Sequence, residues 1–162
     1  MEKNYLRMIE LADACFGNFQ DPSQISVDDG VRERLHRLHP RSMAEERNED
    51  GPIAWTLVIP TTQALMEAFL DGSITEKGLL DATPEQIPYE AVYLCSALVL
   101  PEHRRQGIAD RLICGSLGAI QAGNPIQTLF YWAFSAEGTR LAEAVARTLG
   151  LPLRGRPSLG HP

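Results

Sequence analysis

The sequence has neither a long apolar run nor clustered cysteines. No stretch of its 162 residues reaches the apolar length that a membrane-spanning helix needs. The three cysteines, Cys15, Cys95 and Cys114, are widely separated, and no pair has the spacing of a zinc site. The four histidines form no metal motif either. We therefore expect no membrane span and no metal, with the cysteines as small buried side chains in a reducing compartment.

Positive charge is also scarce. The formal net charge is −6, whereas a general nucleic-acid binder needs a basic field to neutralise phosphates. One phosphate-bearing ligand, held by a local basic turn, is still compatible with this balance. The first residues, Met1-Glu2-Lys3-Asn4, show no signal-peptide pattern. The sequence therefore predicts a cytoplasmic protein with neither a nucleic acid nor a membrane as partner.

The size and composition fit one domain covering residues 1–162, with 44% hydrophobic and 22% charged residues. Apolar periodicity and Gly or Pro stops predict helices over residues 4–16, 27–38, 61–70, 104–122 and 135–149. The same criteria predict strands over residues 53–59, 91–100, 126–134 and 151–156. Residues 41–51 are predicted to be a solvated loop, and residues 73–90 irregular, with a helical turn at 76–80. This pattern favours a mixed sheet with helices on both faces.

The most informative segment lies near the middle of the chain. An apolar run, Ala91 to Leu100, predicts a buried strand, and Pro101, which has no N–H, ends its pairing. A basic turn, residues 103–107, then leads directly into the periodicity of an amphipathic helix. The first N–H groups of a helix have no internal partner, and the helix dipole there attracts negative charge. The segment therefore predicts a phosphate-binding site at the start of this helix.

The residue types in the turn suit that task. Arg104 and Arg105 supply forked donors for phosphate. Gly107 permits a positive φ or a close approach of the backbone to a ligand, and Ala109 is small where a larger side chain would block a diphosphate. A surface turn with solvated arginines would explain each residue alone, but the whole set in this order favours a ligand. The turn has neither the Gly-Lys-Ser/Thr of a Walker loop nor the glycine spacing of a dinucleotide fingerprint.

The pattern Arg104-x-x-Gly107-x-Ala109, preceded by Leu98-Val99-Leu100-Pro101, resembles the acyl-CoA binding motif of the GCN5-related N-acetyltransferases, the GNAT family. The clear resemblance covers residues 91–151, over a third of the chain. It implies an α/β (α+β) fold with a mixed central sheet flanked by helices on both faces. It also implies that the two parallel strands around the motif helix splay apart.

The same resemblance implies a reaction, the direct transfer of an acyl group from acetyl-CoA to an amine without a covalent enzyme intermediate. Backbone amides from Gln106 to Asp110 would hold the diphosphate, and amides near Leu98 to Leu100 the pantetheine arm. An N–H near Leu98 or Val99 would polarise the thioester carbonyl. The implied acyl-CoA residues are Leu98, Val99, Leu100, Arg104, Arg105, Gln106, Gly107, Ile108, Ala109 and Asp110.

The group that protonates the departing thiolate is left open. Many family members carry a tyrosine in the last helix, four residues before a Gly-Phe pair. Counting back from Gly150-Leu151 reaches Ala146, so that tyrosine is absent. Ser135, at the start of this helix, and Tyr131, on the preceding strand, are the candidate acids. Their structural alternatives are a helix cap and a core aromatic.

The base that deprotonates the amine is also left open. Tyr93 lies six residues before Val99, where some family members carry a glutamate. Glu90 is a second candidate, acting through water. A buried core tyrosine and an exposed strand-end charge are the corresponding structural interpretations. Cys95 is not predicted to be a nucleophile, because no histidine lies nearby in the sequence to activate it.

The middle of the chain departs from the family pattern. No strand is predicted before the first helix, and the helix at residues 61–70 is predicted to take the place of the third strand. Acidic residues in this region can favour a cationic amine, but such runs are usually solvated faces, the interpretation preferred here. They are Glu67, Asp71, Glu76, Asp81 and Glu85.

Three functional hypotheses remain. The first is an acyl-CoA-dependent N-acyltransferase with a small-molecule or peptide amine as acceptor. The second is a CoA-binding or sensor domain without catalysis, which the absent tyrosine and the unusual middle region favour. The third is a fold used only for protein association. A homodimer is compatible with all three, because members of the family often pair, but no residue pattern locates an interface.

Overall fold

The computed structural model describes residues 2–16, 25 and 28–157. Within these residues the helices are α1 (Lys3–Phe16), α2 (Asp29–Leu38), α3 (Gln63–Leu70), α4 (Glu76–Ala82), α5 (Ile108–Gly123) and α6 (Ala136–Leu149). The strands are β1 (Met43–Asn48), β2 (Gly51–Thr61), β3 (Ala91–Val99), β4 (Thr128–Trp132) and β5 (Leu153–Arg156). A single 3₁₀ turn, Pro101–His103, follows β3.

The five strands form one mixed sheet in the order β1-β2-β3-β4-β5. The β1–β2 and β2–β3 pairs are antiparallel, whereas β3–β4 and β4–β5 are parallel. Helices α5 and α6 make the two parallel crossovers, which are right-handed as a rule and so place both helices on one face. The two helices accordingly pack against each other. The mixed sheet and its flanking helices confirm the predicted fold class.

The α3 side of the sheet carries an aromatic core. Tyr93 of β3 and Phe130 of β4 are register partners, and their rings stack with centroids 5.2 Å apart. Phe69 of α3 is fully buried and lies 4.8 Å from the Tyr93 ring and 5.8 Å from the Phe130 ring. Since side chains alternate between faces along a strand, this core fixes which neighbours point toward α3 and which point away.

Four helices begin with a side-chain cap, and α5 does not. The caps of α2, α3, α4 and α6 each accept the N–H of the residue three positions on, and they are Asp28, Thr62, Thr75 and Ser135. Such caps satisfy donors that a helix leaves without partners. At α5 the corresponding residue is Gly107, which has no side chain to offer. The start of α5 is therefore open to an external acceptor.

The predicted loop at residues 41–51 is wrong. Strand β1 occupies residues 43–48 and pairs with β2 through a tight turn that ends at Gly51, where φ is +113°. The strand lies at the edge of the sheet, where it pairs with β2 alone. Its side chains are polar and lie largely outside the core. An alternation of apolar residues, the signal used for strands, is therefore missing from this edge strand.

Two further boundaries also differ from the prediction. Helix α5 begins at Ile108 rather than at Arg104, because residues 104–107 form the turn itself. Helix α3 does not replace a strand: the β1–β2 hairpin is complete before α3 begins, and α3 and α4 both lie between β2 and β3. Among the described helices none is long and apolar enough to cross a bilayer.

Candidate active site

The start of α5 presents a row of free backbone donors. The N–H groups of residues 106–110 find no hydrogen-bond acceptor among the residues that the structure describes. The turn that exposes them has two residues in the left-handed region, Arg105 at φ +65° and Gly107 at φ +74°. Consecutive N–H groups in such a conformation form a concave anion site, and the helix dipole adds to it. The geometry therefore suits a phosphate group.

Charge in the turn is arranged to match. The one carboxylate of the 3₁₀ segment, Glu102, is held by Arg7 of α1 through two hydrogen bonds of 2.6 and 2.7 Å. This hydrogen-bonded pairing lowers the pKa of Glu102 to about 2. The neighbouring Arg104 and Arg105 are exposed and form no ion pair within the described residues. The turn is therefore positive where it faces solvent.

The sheet opens beside this turn. The ladder between β3 and β4 has three residue pairs and ends with Tyr93 opposite Phe130. We call this last pair the fork, and the opening between residues 94–99 and residues 131–132 the gap. The separation of the strands leaves backbone groups of β3 without a partner from β4. The splay that the family resemblance implied is therefore present in the structure.

The register shows which β3 groups face the gap. The Leu100 N–H donates to the Ile53 carbonyl of β2 at 2.9 Å. Because alternate residues of an antiparallel strand bond to the same neighbour, Leu98 also faces β2, whereas Ala97 and Val99 face the gap. Val99 thus has the orientation required of the predicted oxyanion donor, and Leu98 does not. Ala97, absent from the predicted set, shares the orientation of Val99.

A bulge in β3 lies close to the fork. The register slips between Leu57–Ser96 and Val58–Leu94, so Cys95 has no partner in β2. A bulge bends a strand and increases its twist. The bend lies two residues beyond Tyr93, where β3 separates from β4. The bulge therefore gives a local cause for the gap.

Ser135 lies at the other side of the gap, after the end of β4. Its hydroxyl accepts the Gly138 N–H at 3.0 Å as the cap of α6, which leaves its own proton available for donation. It lines an open cleft of about 410 Å³. The lining residues are Ala133, Phe134, Ser135, Ala136, Thr139 and Arg140.

A larger cleft of about 470 Å³ lies between α3 and β5, and neither the gap nor the basic turn contributes to its walls.

A buried carboxylate lies over the fork. Glu76, in the first turn of α4, is 9% exposed, and its Oε2 accepts the Tyr93 hydroxyl at 2.6 Å. The Cys95 thiol lies 3.7 Å from the same oxygen, and the Ile25 N–H donates to Oε1 at 3.1 Å. Three donors thus converge on one buried carboxylate. The preferred interpretation of Glu76 as part of a solvated face is therefore wrong.

Burial strongly affects the two β3 groups that touch Glu76. Removal from water, with the adjacent negative charge of Glu76, raises the pKa of Tyr93 well above its usual value. Burial likewise raises the pKa of the Cys95 thiol, and Glu76 adds to the effect. Both groups are therefore neutral hydrogen-bond donors at neutral pH. The Glu76 carboxylate is the hydrogen-bond acceptor of this cluster.

Arg156 completes this face of the sheet. Its guanidinium carbon lies 4.6 Å from the centre of the Phe69 ring and 4.2 Å from that of Trp132. Its Nη1 donates to the Ile74 carbonyl at 3.2 Å, just before α4. The side chain is 7% exposed, and the two aromatic faces and the Ile74 carbonyl take the place of water around its charge. It ties β5 to the segment that carries Glu76.

The structure does not bring the three predicted catalytic residues together. Tyr93 points toward α3, and Tyr131, one residue after its register partner, points to the opposite face, where its ring lies against Gly155. Ser135 is near the far end of the gap. Glu90 precedes β3 beside the paired end of the ladder, its N–H and carbonyl bonded to Thr61 and Gln127. Their catalytic roles stay predictions.

Comparison with solved structures identifies the fold. An aminoglycoside acetyltransferase from an uncultured soil metagenomic sample, solved with trehalose, superimposes with a TM-score of 0.50 at 15% identity. The alignment covers 90% of this chain and 80% of that one. The chain has the GCN5-related N-acetyltransferase fold. No family model matches the sequence, and no curated protein matches it.

Two further solved structures superimpose with lower TM-scores. Naa20 from Chaetomium thermophilum, solved with a bisubstrate analogue, has a TM-score of 0.42 at 15% identity over 75% of this chain. This chain spans 54% of the length of that one. An aminoglycoside 6'-N-acetyltransferase from Acinetobacter haemolyticus has a TM-score of 0.42 at 18% identity, covering 93% of this chain and 86% of that one.

Proposed function

We propose that the protein is an acyl-CoA-dependent N-acyltransferase. The observation that carries the proposal is the row of free N–H groups at the start of α5, beside a sheet that opens after the fork. A ligand that could use both features has a diphosphate, for the N–H groups, joined to a long polar arm, for the gap. Acyl-CoA has this structure, with its reactive thioester at the far end of the arm.

The dimensions of the gap support this assignment. Residues 94–99 of β3 extend about 17 Å at roughly 3.3 Å per residue, a length suited to an extended pantetheine arm. With the diphosphate on the amides of residues 106–110, the arm would run along β3 toward the fork. The backbone groups of Ala97 and the N–H of Val99 face this path and can pair with its amides. The thioester would then lie near the fork.

The reaction is direct attack of an amine on the thioester carbonyl. The nitrogen forms a bond to the carbonyl carbon, the C–S bond breaks, and the electron pair of that bond goes to sulfur. Of the two β3 N–H groups that face the gap, that of Ala97 is the nearer to the fork and would stabilise the oxyanion that develops on the carbonyl oxygen. Most of the rate enhancement would come from holding the two reactants in one geometry.

Of the two predicted acids, Ser135 is the one that lies at the far end of the gap, from which its hydroxyl would reach the thiolate through water. Its hydroxyl has a proton to donate, and it lines the cleft beyond the end of β4. Tyr131, the other candidate, lies on the opposite face of the sheet from Tyr93, against Gly155. The position of the usual family tyrosine is occupied by Ala146, which is buried and has no proton to give.

The acceptor is proposed to be an amine of a small molecule or a peptide. The neighbour with a TM-score of 0.50 is an aminoglycoside acetyltransferase by name, which supports acyl transfer as the class of reaction. We propose acetyl-CoA as donor on the same basis, together with the motif at residues 104–109.

The test measures binding and turnover separately. Calorimetric titration with CoA should give a saturable one-site isotherm, and acetyl-CoA with a panel of primary amines should release thiol in an amine-dependent manner. Absence of CoA binding contradicts the proposal. Binding without turnover on any amine would instead select the non-catalytic CoA-binding domain.

A further inference from the structure

We propose that Glu76 takes the proton from the acceptor ammonium, and that Tyr93 is the residue that positions it. The inference rests on the proposed function and assigns the base of that reaction. It follows from one juxtaposition: a carboxylate from α4 bonds the last β3 residue before the sheet opens. Neither Glu90 nor Tyr93 itself supplies this group.

The location of the carboxylate is the first reason. The thioester end of an arm that enters beside Val99 and follows β3 would lie at the closed end of the gap, which is the fork. Glu76 contacts β3 on both sides of the point where pairing stops, at Tyr93 and at Cys95. An amine that attacks a carbonyl at the fork from the α3 side would therefore meet this carboxylate.

The state of the surrounding groups is the second reason. Tyr93 donates its only proton to Glu76 and cannot accept one from an ammonium while neutral. Cys95 is likewise a neutral donor. Tyr93 and Cys95 face Glu76 from β3, the Ile25 N–H bonds its other oxygen, and Arg156 on β5 contributes positive charge at Tyr93. The carboxylate is the basic group of this set.

The proton balance is simple. An ammonium gives one proton to the Glu76 carboxylate, which becomes a carboxylic acid and leaves a neutral amine. The amine nitrogen forms the C–N bond as the C–S bond breaks. The thiolate takes a proton from Ser135 through water to give CoA-SH, and the second nitrogen proton replaces the one that Ser135 gave. Glu76 then returns its proton to water, so one proton is released for each acyl group transferred.

The test compares acceptors that differ in basicity. Glu76→Gln keeps the shape and the hydrogen bond to Tyr93 but cannot accept a proton. For a strongly basic alkylamine we expect kcat/KM to fall by about 100-fold or more. For an acceptor that is already neutral, such as hydroxylamine, the same variant should lose only a few-fold. Asp81→Asn, an exposed carboxylate on the same helix, is the charge-matched control and should behave as wild type.

Tyr93→Phe is a second variant, and its result can be interpreted even if Glu76→Gln does not fold. Loss of the hydroxyl removes the bond that holds the Glu76 carboxylate at the fork, so kcat/KM for the alkylamine should fall by about tenfold while hydroxylamine loses little. The affinity for CoA should remain unchanged in both variants. Equal losses on both acceptors in Tyr93→Phe, or no loss on either, contradict the positioning role.

The outcomes separate this inference from the proposed function. Suppose that the wild type turns over both acceptors and that Glu76→Gln loses kcat/KM equally on both, or on neither. The role of Glu76 is then overturned, and acyl transfer is left intact. A wild-type protein that turns over no amine overturns the proposed function and this inference together.

Discussion

The Arg104 side chain donates through Nε to the Val99 carbonyl at 3.0 Å. The bond joins the first residue of the motif to a β3 group that faces the gap. It holds the guanidinium at the mouth of the gap, and the terminal nitrogens, which bond no residue that the structure describes, can bind a phosphate. The arginine thereby links the two parts of the proposed ligand site.

We predict that this link is specific to arginine. Arg104→Met and Arg104→Lys should each weaken CoA binding by about tenfold, because neither side chain can bond Val99 and a phosphate at the same time. Calorimetric titration measures the change. Arg111→Met removes an exposed arginine on α5 that bonds Glu46, and should leave the affinity for CoA unaltered. Equal affinity in the Arg104 variants would show that phosphate does not reach this side chain.

A bulky residue at position 107 should abolish CoA binding. A Cβ on Gly107 would point into open space, so Gly107→Arg places its side chain where the diphosphate is expected. Its φ of +74° adds strain of about 1 kcal/mol for any residue other than glycine. Gly72→Arg, at φ +86° and also in open space, carries the same strain away from the site. Normal CoA binding by a folded Gly107→Arg protein would remove the assigned site.

The ion pair between α1 and the turn predicts a pH dependence of stability. The pKa of Glu102 is lowered from 4.5 to about 2, so the pair stabilises the folded state above pH 4.5 and is lost as the pH falls toward 2. Thermal unfolding of Glu102→Gln should show a lower Tm than wild type at pH 7. That difference should vanish near pH 2 and shrink in high salt, because the pair is exposed.

The reciprocal variant supplies the control for that pair. Arg7→Gln should give the same loss, and the double variant no more than either single one. Additive losses would show that the two side chains act independently.

The aromatic core should dominate the stability of the α3 side. Phe69 is fully buried against Tyr93, Phe130 and Trp132, so Phe69→Ala should lower the free energy of unfolding by about 3–5 kcal/mol. Denaturant titration measures this directly. Phe134→Ala removes an aromatic residue that is 63% exposed and should cost about 0.5 kcal/mol or less. Similar losses in both variants would contradict the packing described.

The segment from Ala91 to Gly123 was largely predictable from the sequence. Its apolar strand, proline stop, basic glycine turn and amphipathic helix are local signals, and each follows from backbone chemistry at one position. The helix at residues 63–70 was predictable for the same reason, since Thr62 caps it and its apolar residues repeat at helical spacing. Local signals suffice where the structure is local.

The parts that were missed depend on contacts distant in sequence. Strand β1 is held by its ladder to β2 and has polar side chains, so its own residues contain no apolar alternation. Only the Asn48-Glu49-Asp50-Gly51 turn could have indicated the hairpin. Glu76 resembles any solvated helix-start carboxylate until the fold brings Tyr93, 17 positions away, within 2.6 Å of it. No rule based on the spacing of residues in the sequence predicts that contact.

The central claim is that one acyl-CoA lies across the start of α5 and in the gap. A crystal structure of the protein with bound CoA tests it most directly. We predict the diphosphate on the N–H groups of residues 106–110 and the thiol near the Tyr93–Phe130 fork. CoA bound elsewhere, or a gap closed by pairing of β3 and β4 beyond Tyr93, would contradict the account.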